Sequence, residues 1–197
     1  MVTIGALSTG CATKQVPAVS TYTLEIDENV AIKTRQEPVF PGVLKVLIPK
    51  SSASIMSRQI LYQEKQYTES SYLYSRWSEI PNKMIALKLL TYLNHSNLFK
   101  TVLPAYSKGK EDLILESNLS EFYHHINEDG SSSGRIRIKF YLIDVKNGRI
   151  VANKEFFSST KAPSQDALGA VSALNTASQI ISSEVTEWLS ILHINDG

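Results

Sequence analysis

The feature that most constrains the fold is a strict alternation of apolar and polar side chains between Arg135 and Val145. The apolar positions of this alternation are Ile136, Ile138, Phe140 and Leu142. Because successive side chains of a strand point to opposite faces, this pattern predicts a strand with one buried face. Asn147-Gly148 follows, and this dipeptide is typical of a two-residue hairpin turn. We therefore predict that residues 150–157 pair back on this strand.

The segment before the alternation, residues 113–123, carries acidic side chains and no Lys or Arg. A Gly- and Ser-rich stretch, residues 129–134, joins it to the basic strand. Opposite charges facing each other across two strands contribute roughly 0.2–1 kcal/mol per pair. The three segments together predict an antiparallel meander. Further strands are predicted at residues 21–26, 43–48, 59–64 and 67–77, the last two as a hairpin.

Two helices complete the prediction. The first begins at Pro81, a residue favoured at the first helical position, and ends between Asn94 and Asn97. The second runs from about Ser164, the predicted N-cap, to Leu192. Its predicted buried stripe is Leu168, Val171, Leu174, Ile181, Val185, Trp188 and Leu192. The order of elements predicts an α+β domain, with a mostly antiparallel sheet and two helices packed on one face.

Cys11 is the only cysteine, which excludes an intramolecular disulfide and a multi-cysteine metal site. The small residues around it resemble a bacterial lipobox, although Ser8 stands where that pattern prefers Leu and no Lys or Arg precedes it. We predict lipidation at Cys11; the alternative is an ordinary cysteine. Residues 1–20 are predicted to be a truncated signal, lipobox and tether, and residues 21–194 a single domain. No stretch approaches the ~20 apolar residues of a membrane helix, so membrane attachment would be through lipid.

Composition and motifs favour a protein without catalytic activity. The formal net charge of +1 argues against a nucleic-acid-binding surface over the whole domain. The sequence lacks nucleophile-elbow, zinc-protease, phosphate-loop and dinucleotide-binding motifs. His124 and His125 are adjacent on a predicted strand, so they point to opposite faces and cannot share a metal ion. We expect no cofactor and no metal.

Two regions are candidate partner-binding surfaces. The first is the end of the second hairpin strand, with Tyr74, Arg76 and Trp77, since Tyr, Trp and Arg dominate interaction hot spots. The alternative is that Trp77 fills the core. The second region is the outer face of the last helix, which carries small, uncharged residues including Ser172, Thr176 and Ser183. Such a face permits close approach of another surface, and the alternative is an ordinary solvent-exposed face.

Several segments, in this order and spacing, resemble the ABC-type transport auxiliary lipoprotein family. They are residues 58–62, 74–81, 119–122 and 148–152, together with Cys11. The resemblance implies a non-enzymatic periplasmic docking subunit of a phospholipid transport system between the two membranes. Its implied partners are a mammalian-cell-entry (MCE) domain protein, an ABC permease and an ATPase.

The resemblance also bears on location and on the alternatives. Ala12 stands where an Asp commonly retains lipoproteins at the inner membrane, so the outer membrane is favoured. Assembly into a homo-oligomer is left open. One alternative function is a lipid-binding shuttle, which needs an apolar cavity of ~300–1,000 Å³ between helices and sheet. Another is a different outer-membrane assembly lipoprotein.

Overall fold

A single mixed sheet and two helices make up the part of the chain that the computed structural model describes, residues 17–26 and 35–192. The strands are β1 Ser20–Tyr22, β2 Phe40–Val46, β3 Lys50–Ser51, β4 Gln59–Gln63, β5 Ser70–Trp77, β6 Phe99–Pro104, β7 Leu113–Ile126, β8 Ser132–Asp144 and β9 Arg149–Lys161. The helices are α1 Pro81–Ser96 and α2 Ala167–Ser190. No helix within these residues combines the length and the apolar character needed to cross a membrane.

Strands β7, β8 and β9 form the predicted antiparallel meander. The expected charge pairing is present at one position: Glu121 lies opposite Arg137, and Oε1 of Glu121 accepts from Nε of Arg137 at 2.7 Å. Arg137 also donates to Glu155 on β9, at 3.2 Å. The turn between β8 and β9 has four residues, 145–148, rather than the predicted two, because Asp144 pairs with Arg149. Gly148 ends this turn with a φ of 63°, in the left-handed conformation that favours glycine.

The opposite edge of β7 is shared, along its length, by β2, β3 and β4, all parallel to it. Beyond these, β6 pairs with β2 in parallel, β5 pairs with β4 in antiparallel fashion, and β1 pairs with β5 in parallel. Antiparallel pairs account for most of the paired residues, which confirms a mostly antiparallel sheet. The parallel pairings were not predicted, nor were the short strand β3 and the strand β6.

Both helices pack on one face of the sheet, as predicted, and contact each other. The apolar positions of β8, against which α2 packs, are completely buried. Phe156 of β9 lies between Phe140 and Trp188, with ring centroids 5.8 Å from each. Where α2 crosses β8, the chain carries Gly134, because a Cβ there would lie 2.7 Å from backbone atoms of α2.

Three details of the predicted second helix are corrected. The helix begins at Ala167, and its N-cap is Asp166, whose side chain accepts from the backbone N–H of Gly169 at 2.8 Å, rather than Ser164. The hydroxyl of Ser164 instead donates to the Asp166 carboxylate. Leu168 is 60% exposed, so it does not belong to the buried stripe. The rest of that stripe packs inward as predicted.

Candidate docking surfaces and an apolar groove

The first candidate surface lies on a bulge of β5. Gln59 pairs with Arg76 and Leu61 with Ser71. An advance of two residues along β4 therefore corresponds to five residues along β5. Such excess residues leave the ladder and bend the strand outward. Leu73 and Tyr74 lie in this stretch and are 82% and 48% exposed. Leu73 is the more exposed of the two, and the sequence analysis did not single it out.

Arg76 and Trp77, the other two predicted residues here, have different environments. Arg76 is exposed, and its Nε donates to the hydroxyl of Thr21 on β1 at 3.3 Å. Trp77 has no exposed surface, and its ring lies 5.7 Å from that of Phe122 in an edge-to-face arrangement. Trp77 therefore occupies the core, which was the alternative for this residue. The accessible surface consists of the bulge and Arg76.

The second candidate surface is the outer face of α2. Ser172, Thr176 and Ser183 are all exposed, as predicted, and the hydroxyl of Thr176 donates to the carbonyl of Ser172 at 3.2 Å. Exposed Leu168 and Ile180 continue the same row at intervals of four residues. Gly169, in the first turn of α2, is buried and does not belong to this face. The helix contains no Lys or Arg, so this face is small, partly apolar and without positive charge.

Hydrogen bonds connect the elements that carry the two surfaces. The hydroxyl of Tyr72, next to the bulge, donates to the carbonyl of Gln165 just before α2, at 3.0 Å. On the other side, the side-chain oxygen of Asn175 accepts from the backbone N–H of Glu25 at 2.6 Å. These bonds hold β5, the segment after β1 and α2 in fixed relation.

The two adjacent histidines lie on opposite faces, as predicted. His124 is buried under the helices and contacts the Tyr72 hydroxyl through Nδ1 at 2.7 Å. Because that hydroxyl donates to Gln165, Nδ1–H of His124 donates to it, which leaves Nε2 as an unprotonated, buried acceptor. Burial lowers the pKa of His124. Among the described residues no group of three or more potential metal ligands occurs.

A third feature, not predicted as a site, is an open groove of about 550 Å³ between α1 and the carboxyl-terminal ends of β2 and β6. Its apolar lining comes from α1, from the end of β2 and from the end of β6: Val46, Ile48, Met84, Ala86, Leu87, Leu90, Pro104, Ala105 and Tyr106. Thr23, Ser78, Glu79 and Lys83 complete the lining. No local pattern in the sequence brings these distant segments together.

Cys11, the predicted lipidation site, lies outside the described residues. Its lipidation therefore remains a prediction from the sequence.

The fold is that of several bacterial proteins of known structure. Protein XCC0632 from Xanthomonas campestris superposes with a TM-score of 0.77 at 16% identity, covering 89% of this chain and 96% of that one. An uncharacterized protein gives 0.67 at 15% identity, with 88% and 100% covered. CT253 from Chlamydia trachomatis gives 0.54 at 8% identity, with 77% and 97% covered. At these identities the likeness establishes the fold alone.

The family follows from the sequence. The model of the ABC-type transport auxiliary lipoprotein component matches residues 22–186, and the chain belongs to this family. It is therefore an auxiliary lipoprotein component of an ABC-type transport system. No curated protein sequence matches the chain significantly.

Proposed function

We propose that this protein is the docking subunit of an MCE-type ABC phospholipid transport system. In this proposal the domain lies in the periplasm, lipid on Cys11 anchors it to the outer membrane, and it performs no catalysis. Its direct partner is the MCE-domain protein, which connects it to the permease and the ATPase. The observation that carries the proposal is the exposed bulge of β5, with Leu73 and Tyr74 projecting beside Arg76.

The bulge has the chemistry of a protein-binding surface. Aromatic and Arg side chains contribute most of the energy of many interfaces, while charged residues surround them. An exposed Leu beside an exposed Tyr loses contact with water on binding, and each Å² of apolar surface buried contributes about 25 cal/mol. Trp77 holds this strand from below, which keeps the bulge in position without contacting the partner.

Capture of the MCE-domain partner by variants of the full chain tests the proposal. Tyr74→Ala and Arg76→Ala should each weaken capture by ~1–2 kcal/mol, because they truncate exposed contact residues and leave the core intact. Tyr67→Ala is the matched control, since Tyr67 is an exposed Tyr in the turn of the same hairpin. Full capture by both folded variants would move the interface away from the bulge.

The outer face of α2 is proposed as a second part of the same interface. Thr176→Lys and Ser183→Lys place long cationic side chains on a face that carries no positive charge, so close approach of a partner should be blocked. If these variants capture the partner normally but change the molecular mass in light scattering, this face joins copies of the protein in a homo-oligomer instead.

The proposed anchor has its own test. Mass spectrometry of the membrane fraction should find lipid on Cys11 of the exported protein. In cells that lack the MCE-domain protein, a Cys11→Ser protein should appear in the soluble periplasmic fraction, because neither the lipid nor the partner then holds it at a membrane. Complete retention of that variant in the membrane fraction would contradict the anchor.

Two other functions were considered from the sequence. A different outer-membrane assembly lipoprotein would fail to capture an MCE-domain protein. A lipid-binding function is favoured by one observation, the apolar groove of about 550 Å³, whose volume falls in the range typical of small-molecule sites.

A further inference from the structure

The groove beneath α1 keeps apolar side chains from three separate elements accessible. Leu87 of α1 is 50% exposed, and Tyr106, after β6, is 87% exposed. Ile48, after β2, is exposed as well. Apolar side chains that converge on a concave surface of this size are a usual feature of sites for apolar ligands. Met84 forms part of the floor, and its flexible thioether adapts to ligands of varied shape.

The polar residues of the lining gather at one end of the groove, around the first turn of α1. The hydroxyls of Thr23 and Ser78 lie 3.9 Å and 4.0 Å from the sulfur of Met84. Glu79 and Lys83 form an ion pair with a distance of 3.1 Å, and both side chains are about half exposed. A protein interface usually has polar residues all round its apolar centre. This groove is instead charged at one end and apolar along the rest of its lining. That distribution fits an amphiphilic ligand with a single polar head group.

The charged end of the groove carries one cation, Lys83, and one anion, Glu79, which pair with each other. Helix α1 begins at Pro81, and the Glu79 carboxylate accepts from the backbone N–H of Ile80 at 2.9 Å, so the anion lies against the positive end of the helix dipole. Lys83 adds a positive charge at the same turn. Glu79 stays anionic, because the backbone N–H of Ile80 and the Lys83 ammonium lower the pKa of its carboxyl group.

We propose that this groove binds one zwitterionic phospholipid, with an acyl chain along the apolar lining and the head at the first turn of α1. The phosphate contacts Lys83 and the head-group ammonium contacts Glu79, so that each charge of the head group faces the opposite charge of the ion pair. The inference rests on the proposed function in placing the domain beside phospholipid membranes. Its test requires no transport partner.

The test uses the full chain with Cys11→Ser, so that no acyl chain of its own can occupy the groove. Phosphatidylcholine vesicles carry a trace of phosphatidylethanolamine or phosphatidylglycerol with a fluorescent acyl chain. The vesicles are then removed by centrifugation. The soluble protein should retain phosphatidylethanolamine at close to one lipid per chain, and several-fold less phosphatidylglycerol. Absence of labelled lipid in the soluble fraction would overturn the proposal.

Variants locate the lipid. Ala105→Trp places a large side chain in the groove and should remove most of the captured lipid, whereas Ala53→Trp, at an exposed turn, should not. Circular dichroism confirms that both are folded. Glu79→Gln combined with Lys83→Gln should abolish the preference for phosphatidylethanolamine over phosphatidylglycerol. Retention of lipid by folded Ala105→Trp would overturn the site, and an unchanged preference in the double variant would overturn the head-group assignment.

Light scattering and partner capture separate the remaining outcomes. If the parent binds no lipid and Ala105→Trp dissociates a dimer, the groove is an interface between copies and the lipid proposal is wrong. If the parent captures the MCE-domain protein but no lipid, this inference fails and the docking proposal stands. If it binds lipid at the groove but captures no partner, the docking proposal fails alone.

Discussion

Replacing Gly134 with Ala should destabilise the protein, although the same change in an ordinary strand is expected to stabilise it. Gly in a strand interior costs roughly 0.5–1 kcal/mol relative to Ala, because it loses more backbone freedom on folding. At Gly134 the new Cβ would lie 2.7 Å from the carbonyl carbon of Ala173 and from the backbone nitrogen of Leu174. It would lie 2.9 Å from the Cβ of Ala173.

These distances are shorter than those of real Cβ contacts, and the opposing atoms are mainly helix backbone rather than the end of a flexible side chain. To remove this overlap, α2 must shift as a unit away from β8. Such a shift disrupts the packing of the side chains along the helix. Overpacking of this kind typically costs ~1–3 kcal/mol. We expect the overlap to outweigh the backbone gain and the free energy of unfolding to fall by ~1–2 kcal/mol.

Urea denaturation of the parent and of Gly134→Ala measures this difference. Asn153→Ala, an exposed position on β9, is the control and should change stability by less than ~0.5 kcal/mol. In thermal unfolding, each kcal/mol corresponds to a Tm shift of roughly 2–4 °C for a domain of this size. A Gly134→Ala protein as stable as the parent, or more stable, would show that the close approach of α2 to β8 does not determine the residue at this position.

Three further predictions concern the helices and the buried histidine. Leu174→Ala should cost ~2–5 kcal/mol and Ser183→Ala under ~0.5 kcal/mol, and the reverse ranking in urea denaturation would mean that the buried face of α2 is misassigned. Asp166→Ala removes the helix cap and should cost ~0.5–2 kcal/mol. Ser164→Ala should cost less, because the Ser164 hydroxyl donates to the capping carboxylate and does not itself cap the helix; equal effects would contradict the assignment. Burial holds the pKa of His124 below its ordinary value of 6.5. As the pH falls below about 6.5, His124 is therefore protonated in the unfolded chain before it is protonated in the folded protein, and the free energy of unfolding decreases. His124→Gln should reduce that slope in denaturation curves measured across this range, and an unchanged slope would assign it to other groups.

The elements with strong local signals were predictable from the sequence. The alternation in β8 and the Asn147-Gly148 turn depend on neighbouring residues, so they indicated the meander without knowledge of the rest of the chain. Helix α1 likewise has local start and stop signals, Pro81 at its first position and Asn97 in a left-handed conformation at its end. Membership of the auxiliary lipoprotein family was also recognisable from the order and spacing of short segments.

Only the tertiary structure decided which face each ambiguous residue takes and which distant segments meet. From the sequence, Trp77 fits either the core or an interface, because a bulge breaks the alternation of side chains between the two faces of a strand. The bulge between β4 and β5 and the contact with Phe122 assign Trp77 to the core. Leu168 matches the spacing of the buried stripe, yet it lies in the first turn of α2, where it remains exposed. The groove depends on β2 and β6 running parallel and ending beneath the start of α1. Parallel pairing joins segments far apart in the chain, and no local pattern specifies it.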